Sequence, residues 1–307
     1  MNNGEKFINN CIENGVMHVF LIANPVNAII SRMLIERYQF SNILVISIRE
    51  TQANIVTDKY LSLPVTIIDR LFMKFFKVCR YGRKLKKNIL NIHKPYVVYT
   101  SWMYPEAVEI SSDKSCQGVV YIEEGQLSYY ESNPYPKELN AWFNRVDEIS
   151  KGNIDLYFSK AYEACVALTE DSFPCLRPDK IIVIDDIRQL SKFYRPKLID
   201  IKYIGLTPAP RRIPKEFIPA LVKELTEKIP SGGAIKFHPG FNVHKDLKVQ
   251  IINELKKVEN CNIICCPDDT ILELEMVLDK KVLIGARSSL SNYAVRLGSE
   301  YIEICFD

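Results

Sequence analysis

Short apolar runs alternate with longer stretches of mixed apolar and polar positions along most of the chain. In the first half these runs have few polar interruptions, which is typical of parallel strands covered on both faces. The predicted strands are MHVFLIA (17–23), NILVISI (42–48), VTIID (65–69), PYVVYTS (95–101), GVVYIEE (118–124), DLYFS (155–159) and KIIVIDD (180–186). A turn at Asn24 and Pro25 leads into a helix predicted for 27–37. This alternation predicts an α/β domain with a doubly wound sheet.

A second set of strands and helices begins after residue 200. Its predicted strands are KYIGLT (202–207), GAIKFHP (233–239), NIICCP (262–267), KVLIGA (281–286) and EYIEICF (300–306), and its predicted helices are 214–228, 246–258 and 270–278. Asp246 is the predicted N-cap of the second helix. The pattern breaks at QLSKFYRPKLIDIK (189–202), so we assign 188–200 as a linker. The sequence thus predicts two Rossmann-like domains, 1–187 and 201–307, with an active site in the cleft between them.

The composition and the absence of certain motifs argue against several kinds of site, but they do not indicate a function. The 307 residues are 47% hydrophobic and 25% charged with a net charge of +3, which is ordinary for a globular protein. The nine cysteines show no paired CxxC spacing, so we expect reduced thiols and no metal site. The sequence has no GxGxxG, no GxxxxGK[ST] and no Asp-x-Asp at a strand end, which argues against a dinucleotide fold, a P-loop and a metal-dependent sugar-nucleotide site. No apolar run is long enough to span a bilayer, and we expect a cytoplasmic protein.

An acidic pair, Glu123 and Glu124, follows the strand at 118–124, and Gly125 then allows a sharp turn. Ligands of open α/β sheets bind beyond the carboxyl ends of strands. Two adjacent carboxylates repel each other, and partial burial raises the pKa of one, which suits a general base. The alternative is a solvated acidic turn.

His238 and Pro239 end another predicted strand, with Lys236 two residues earlier on the same strand face. Pro239 holds the preceding residue extended and stops further strand pairing, so the imidazole is presented at the strand end. There it can donate to a phosphate or act as general acid toward a departing nucleotide. The alternative is a capped surface histidine. His93 and His244 have no such context, and His18 is expected to be a core residue.

Further candidates lie in the second half of the chain. Ser288 and Ser289 follow the strand at 281–286, and hydroxyl and N–H groups at a helix start form an anion site, although ordinary N-capping is the alternative. Glu273 and Glu275 precede them, and only one can face the ligand because alternate helix positions diverge. We prefer Glu275 as the residue that holds a ribose, and a solvated helix face is the alternative. Other donor-site candidates are Thr207 and Pro208, which follow the first strand of the second domain, where an ordinary connecting turn is the alternative.

The segment from Arg70 to Lys94 has nine Lys or Arg residues and no acidic residue. Basic positions at helical spacing are interleaved with Leu71, Phe72, Phe75 and Phe76. A basic amphipathic helix is typical of contact with a membrane surface, here the inner face of the plasma membrane. An anionic glycan and a solvated helix face are the alternatives. No motif indicates nucleic acid.

An acidic pair with Gly, then His-Pro, then Ser-Ser, on two α/β halves, resembles the bacterial sialyltransferases of GT-B fold, of the lipooligosaccharide and capsular polysialyltransferase types. The sequence ANPVNAI (23–29) also looks like the first strand, loop and helix of that group. The resemblance covers the motifs and their strand contexts. It implies an inverting, metal-independent transfer of sialic acid from CMP-sialic acid to a glycan hydroxyl, without a cofactor.

The resemblance also implies roles for particular residues. Glu123 would be the general base, with Glu124 as the second choice, and His238 would assist the departure of CMP. Ser288 and Ser289 would hold the phosphate of the CMP-sugar donor, and Glu275 its ribose, with Glu273 as the other choice. Lys236, Pro239, Thr207 and Pro208 are donor-site candidates from their positions at strand ends. The glycan acceptor would lie near Asn24, Pro25, Asn27 and Gly125.

Three alternatives remain open at this point. The donor could carry another CMP-activated acid, such as Kdo or legionaminic acid, because the motifs recognise cytidine and phosphate and do not distinguish the sugar. A CDP-glycerol or CDP-ribitol polymerase also uses His-Pro and a later Ser. The non-enzymatic alternative is an inactive scaffold that binds anionic glycan or membrane. The oligomeric state is open, with a homodimer among the alternatives.

Overall fold

A computed structural model of the chain describes residues 1–47, 53–62, 80–92, 94–103, 105–129, 154–155, 158–159, 162–174, 176–184, 187–189, 194–210, 213–242, 244–259, 262–286 and 288–304. The chain divides into two compact units, Met1–Ile187 and Arg188–Asp307. The predicted strand at 65–69, His93 and the first ten residues of the basic segment, 70–79, lie outside the described residues.

The first unit contains a parallel sheet with helices. In chain order its elements are α1 (Asn3–Glu13), β1 (Met17–Ile22), α2 (Pro25–Tyr38), β2 (Ile43–Ser47), β3 (Leu61–Ser62), α3 (Arg80–Leu90), β4 (Tyr96–Thr100), α4 (Pro105–Ser111), β5 (Cys116–Ile122), β6 (Ile154–Asp155), β7 (Phe158–Ser159), β8 (Ala164–Ala167) and β9 (Ile181–Val183). The sheet order is β3-β2-β1-β4-β5-β8-β9, and its paired strands all run parallel. The chain therefore proceeds from β1 toward one edge of the sheet, then returns to build the other.

The second unit repeats this plan on a smaller scale. Its elements are β10 (Tyr203–Leu206), α5 (Ile218–Lys228), β11 (Ala234–Lys236), α6 (Lys245–Leu255), β12 (Ile264–Cys265), α7 (Leu272–Leu278), β13 (Val282–Gly285), α8 (Ser289–Arg296) and β14 (Glu300–Glu303). The strands are parallel in the order β12-β11-β10-β13-β14. Gly285 is required where β13 meets β10, because a Cβ there would lie 2.7 Å from the Leu206 Cβ.

Each sheet has its own apolar core. Strand β1 is buried at every position, as its uninterrupted apolar sequence predicts. In the second unit Ile235 of β11 and Ile284 of β13, the strands on either side of β10, belong to one core cluster with Leu225 of α5, and all three side chains are fully buried. Within the first unit, His18 is 2% exposed, stacks on Phe40 and hydrogen bonds the Tyr99 hydroxyl at 2.8 Å. It is a core residue, as the sequence predicts.

Three local predictions are corrected. DLYFS does not extend the main sheet, because β6 and β7 form a separate antiparallel pair. The place beside β5 is taken by β8, which the sequence analysis missed. Helix α6 begins at Lys245 with His244 at the N-cap position, so Asp246 lies in the first turn and is not the cap.

Candidate functional site

The carboxyl ends of the strands define where each unit can hold a ligand. The order in which strands are added to the sheet switches from one edge to the other between β1 and β4 in the first sheet, and between β10 and β13 in the second. Helices from opposite faces leave a crevice at such a switch point, just beyond the carboxyl ends of the strands. The acidic pair follows β5, the His-Pro motif follows β11 and the serine pair follows β13. Each motif therefore lies at the ligand-binding edge of its own sheet.

Glu123 is fully buried, and hydrogen bonds occupy both of its carboxylate oxygens. Oε1 accepts a hydrogen bond from the Tyr129 hydroxyl. Oε2 accepts from the Leu168 N–H at 2.7 Å and from the Ser172 hydroxyl at 2.9 Å. A carboxylate enclosed in this way cannot reach an acceptor hydroxyl, which argues against Glu123 as the general base. Its geometry is that of a structural anchor.

Glu124 points to a different environment, because adjacent residues after a strand face opposite ways. Its side chain is only partly buried, and Oε2 accepts a hydrogen bond from the Asn24 side-chain amide at 3.2 Å. The backbone N–H donates to the Ser128 hydroxyl at 3.1 Å, and Gly125 follows with φ of 122°. That φ value favours glycine. Of the two acidic residues, Glu124 is the one that a substrate can approach.

Asn24, Pro25 and Asn27 form the start of α2, at the carboxyl end of β1. Asn24 is the N-cap, since its Oδ1 accepts the Asn27 N–H at 2.8 Å, and Pro25 occupies the first turn. Asn27 is fully buried, and its Oδ1 accepts the Ala23 N–H at 3.3 Å. Among the described residues, the Asn27 amide nitrogen has no hydrogen-bond partner. These residues therefore orient Glu124 through Asn24, while Asn27 lies beneath the surface.

His238 is exposed at the carboxyl end of β11, and one hydrogen bond holds its ring while another holds its backbone. Its Nδ1 accepts the Gly240 N–H at 3.0 Å, so the neutral imidazole carries its proton on Nε2. Its backbone N–H donates to the Thr207 hydroxyl at 2.9 Å, which ties β11 to the end of β10. The side chain thus presents an N–H donor at the ligand-binding edge. Thr207 is 6% exposed and acts as a positioning residue for His238.

The two prolines and Lys236 have different surroundings. Pro239 is exposed and begins a 3-10 turn, and Pro208 is partly exposed beside Thr207. Lys236 donates from Nζ to the carbonyls of Pro267 and Asp268, at 2.9 and 2.7 Å. Burial lowers the pKa of Lys236. This lysine holds the loop after β12, so its predicted contact with the donor is not supported by the geometry.

Ser288 and Ser289 stand at the beginning of α8, next to the carboxyl end of β13. Ser288 is the N-cap residue by backbone conformation, but its hydroxyl makes no capping hydrogen bond and lies 3.4 Å from the Tyr301 hydroxyl. Ser289 is the first helical residue. A helix start that is not capped by its own side chain can offer N–H groups to a phosphate. Strands β11 and β13 flank β10, so His238 and Ser288 emerge from strands about 10 Å apart.

The two carboxylates of α7 differ sharply in their contacts. Glu275 is 1% exposed, and its Oε1 accepts the Tyr194 hydroxyl at 2.6 Å and the Lys197 N–H at 2.8 Å. This saturation excludes Glu275 as the ribose-binding residue in this conformation. Glu273 is partly buried, and burial raises the pKa of its carboxyl, opposed by the Lys236 ammonium. Glu273 is therefore the better candidate for a ribose.

The basic segment is described only from Arg80 onward. Leu85 and Ile89 of α3 are fully buried in the core of the first unit, so the apolar face of this part of the helix is used internally. Lys84 and Lys87 lie on the exposed face. Membrane contact through α3 would therefore depend on charge and not on insertion of that face. Within the described residues, no helix has the length and apolar character needed to cross a bilayer.

Several contributors to the site were missed from the sequence. Tyr129 lies only six residues after Glu123, whereas Leu168 and Ser172 reach it from distant positions, and no sequence signal links any of them to it. Gly240 could have been noticed, because a glycine after His-Pro allows its N–H to fold back on the imidazole. A Cβ at Gly240 would lie 3.1 Å from the His238 Nδ1, which is closer than ordinary contact.

The sequence matches no protein-family model and no curated protein. In structure, the chain is similar to S. aureus MnaA in its complex with UDP, with a TM-score of 0.57, 13% identity and coverage of 95% of this chain and 79% of that chain. It is also similar to a protein named as a UDP-N-acetylglucosamine 2-epimerase of Listeria monocytogenes, with a TM-score of 0.56, 12% identity and coverage of 94% and 78%.

A third similar structure is the GT-B domain of a sialyltransferase from Photobacterium damselae, at 12% identity, a TM-score of 0.48 and coverage of 91% of this chain and 88% of that chain. That TM-score is too low to carry an argument about donor or reaction. At such identities the similarities establish the fold alone. The predicted α/β architecture of GT-B type, with two Rossmann-like domains, is confirmed by the two parallel sheets and by the similarity to the first two structures.

Proposed function

We propose that the chain is an inverting, metal-independent glycosyltransferase that moves sialic acid, or another CMP-activated acid, to a glycan hydroxyl. The observation that carries the proposal is the His238 imidazole, exposed at a strand end with its Nδ1 engaged by Gly240. With Nδ1 accepting that hydrogen bond, the neutral imidazole carries its proton on Nε2, and an Nε2–H group can donate to a phosphate as it departs.

The second unit would hold the donor. The N-terminus of α8, with Ser288 and Ser289, would bind the phosphate, and His238 would contact it from the other side of β10. Glu273 would accept hydrogen bonds from the ribose hydroxyls. As the bond between the anomeric carbon and the phosphate oxygen breaks, CMP leaves with the bonding electrons. Negative charge develops on the phosphate, where fixed N–H and O–H donors stabilise it.

The first unit would activate the acceptor. Glu124 is the base in this proposal, because it is only partly buried and its carboxylate is oriented by Asn24. It would take the proton from the acceptor hydroxyl as that oxygen bonds to the anomeric carbon. A correctly placed general base contributes on the order of 10² to 10⁴-fold to rate. Glu124→Gln should therefore abolish most turnover while nucleotide binding persists.

A UDP-sugar enzyme is the second candidate. The two similar structures with TM-scores of 0.57 and 0.56 are a UDP complex and a protein named as a UDP-sugar 2-epimerase. The phosphate and ribose contacts proposed above do not discriminate between cytosine and uracil. Under this alternative, His238 and Ser288 keep their roles at the phosphate, but the base and the sugar differ.

Calorimetric titration of the purified chain with CMP, CDP, UMP and UDP, with and without EDTA, separates these candidates. We expect saturable CMP binding that survives EDTA, together with slow hydrolysis of CMP-sialic acid that His238→Ala abolishes. Preference for UDP, with conversion of UDP-N-acetylglucosamine, would favour the second candidate. Preference for CDP over CMP would favour an alditol phosphate polymerase. Turnover that survives Glu124→Gln would refute the base assignment.

A further inference from the structure

The surroundings of Glu123 suggest a function other than acid or base chemistry. Its carboxylate is fully buried and joins two loops that are distant in sequence. One is the turn that follows Glu124, reached through the Tyr129 hydroxyl, and the other is the loop after β8, reached through Leu168 and Ser172. Hydrogen bonds to a buried carboxylate are stronger than neutral ones, so the two loops are firmly connected.

The same two loops share a second set of contacts through Ser128. Its hydroxyl accepts the Glu124 N–H at 3.1 Å, and its carbonyl accepts the Phe173 N–H at 2.6 Å. Ser128 is 1% exposed and Phe173 is fully buried. The backbone of Glu124 is thus held by a buried hydrogen-bond network that is centred on the Glu123 carboxylate. The Asn24 side-chain amide separately orients the Glu124 side chain.

We infer that Glu123 is a positioning residue that holds the loop bearing the reactive carboxylate of Glu124. The inference rests on the proposed function for the identity of the base, but the anchor itself is a property of the fold. It reverses the roles that the sequence resemblance implies for the acidic pair. Strand geometry explains which carboxylate has which role. Successive side chains point to opposite sides, so Glu123 faces the core and is the anchor, and Glu124 faces the ligand-binding edge.

The anchor is tested first without any substrate. Amide hydrogen exchange of Leu168 is measured in the full chain, in Glu123→Gln and in Glu124→Gln. We expect Leu168 to exchange at least about ten-fold faster in Glu123→Gln, because its N–H loses a charged acceptor, and to be unchanged in Glu124→Gln. Ser172→Ala removes another hydrogen bond to Glu123 Oε2, the oxygen that accepts the Leu168 N–H, and it replaces Glu123→Gln in the test if that variant does not fold. Unchanged protection in both Glu123→Gln and Ser172→Ala would overturn the anchor.

The kinetic test separates positioning from direct catalysis. With CMP-sialic acid, Glu123→Gln should lower kcat by about ten-fold with KM for the donor within two-fold, whereas Glu124→Gln should lower kcat by on the order of 10² to 10⁴-fold. The acidic limb of the pH profile, where protonation of the base lowers the rate, should persist in Glu123→Gln and vanish in Glu124→Gln. A larger loss in Glu123→Gln than in Glu124→Gln would overturn the inference. If the wild-type chain turns over no donor, the proposed function fails, and the exchange measurement still decides the anchor.

Discussion

Glu275 and Lys281 bind the two backbone polar atoms of the same residue, Leu198. Glu275 Oε2 accepts the Leu198 N–H at 3.2 Å, and Lys281 Nζ donates to the Leu198 carbonyl at 2.8 Å. Each of these charged side chains is 1% exposed. Lys281 also pairs with Asp279 at 2.7 Å. The segment entering the second unit, assigned from sequence as a linker, is therefore fixed to that unit by two buried charges.

Replacing Glu275 should damage stability and spare nucleotide binding. Glu275→Ala leaves the Tyr194 hydroxyl and the N–H groups of Lys197 and Leu198 without their acceptor, which costs roughly 3 kcal/mol. Thermal unfolding should show a clearly lower Tm, while the folded protein keeps its affinity for CMP. A stable Glu275→Ala variant with weakened CMP binding would instead return the ribose role to Glu275.

Glu273 is the matched test on the same helix. Its carboxylate is partly buried and has a raised pKa, so removing it relieves a desolvation cost and should leave Tm almost unchanged. If it binds the ribose, the wild-type chain should prefer CMP over 2′-deoxy-CMP by about ten-fold, and Glu273→Ala should lose that preference. Calorimetric titration of both nucleotides gives the answer. A preference that persists in Glu273→Ala would exclude the ribose contact.

The fold could be predicted from the apolar runs because parallel strands buried on both faces have few polar positions. The elements that escaped prediction are those without such a run. Strand β8 has only Ala164–Ala167, with two alanines and a cysteine, and its burial comes from its place between β5 and β9. Helix α1 did have a readable signal, the capping box of Asn2 and Glu5, which fixes where it begins.

The site could be located from sequence but its roles could not be assigned. The acidic pair, His238 and Ser288 each follow an apolar run that predicts a strand, so their place at a strand end could be predicted from local sequence alone. Which carboxylate of a pair is buried depends on partners far along the chain, such as Ser172 for Glu123 and Tyr194 for Glu275. Those contacts are set by how loops pack, and neither strand nor helix periodicity determines them.

His18 should make stability depend on pH. Burial lowers the pKa of His18 to about 4, below its ordinary value of 6.5. Between these values the unfolded chain binds a proton that the folded chain does not, so stability falls as pH decreases from about 6.5 toward 4. The loss should reach roughly 3 kcal/mol at most.

Urea unfolding at several pH values measures this effect. The double variant His18→Phe, Tyr99→Phe keeps two rings in the core and removes their hydrogen bond, so it is the control. Its stability should vary less with pH across that interval than the stability of the wild-type chain. Equal slopes in the two proteins would show that His18 does not set the dependence.

The exposed face of α3 offers a test of the membrane contact that the sequence predicts. Lys84 and Lys87 are exposed, while Leu85 and Ile89 are buried in the core. Replacing both lysines by glutamine should weaken binding to phosphatidylserine vesicles about thirty-fold, at about 1 kcal/mol per basic residue. Lys223→Gln with Lys228→Gln in the second unit is the control. Binding that is insensitive to salt, or equally weakened by the control, would contradict an electrostatic contact through α3.

Gly240 gives the sharpest test of the imidazole geometry. A Cβ at this position would lie 3.0 Å from Pro210 Cδ and 3.1 Å from His238 Nδ1, so Gly240→Ala should displace the ring. We expect donor hydrolysis to fall about ten-fold, because misplacing a catalytic donor by a fraction of an ångström weakens its contact in the transition state. Tm should change little, since His238 is exposed.

Two further variants show whether that loss acts through the imidazole. Thr207→Val removes the hydroxyl that accepts the His238 N–H, and should also slow hydrolysis, whereas Thr207→Ser should retain it. The double variant Gly240→Ala, His238→Ala should be no slower than His238→Ala alone, because both changes disable one group. Additive losses in the double variant would mean that Gly240 acts on the donor by another route. The fixed ring of His238 would then no longer account for the effect.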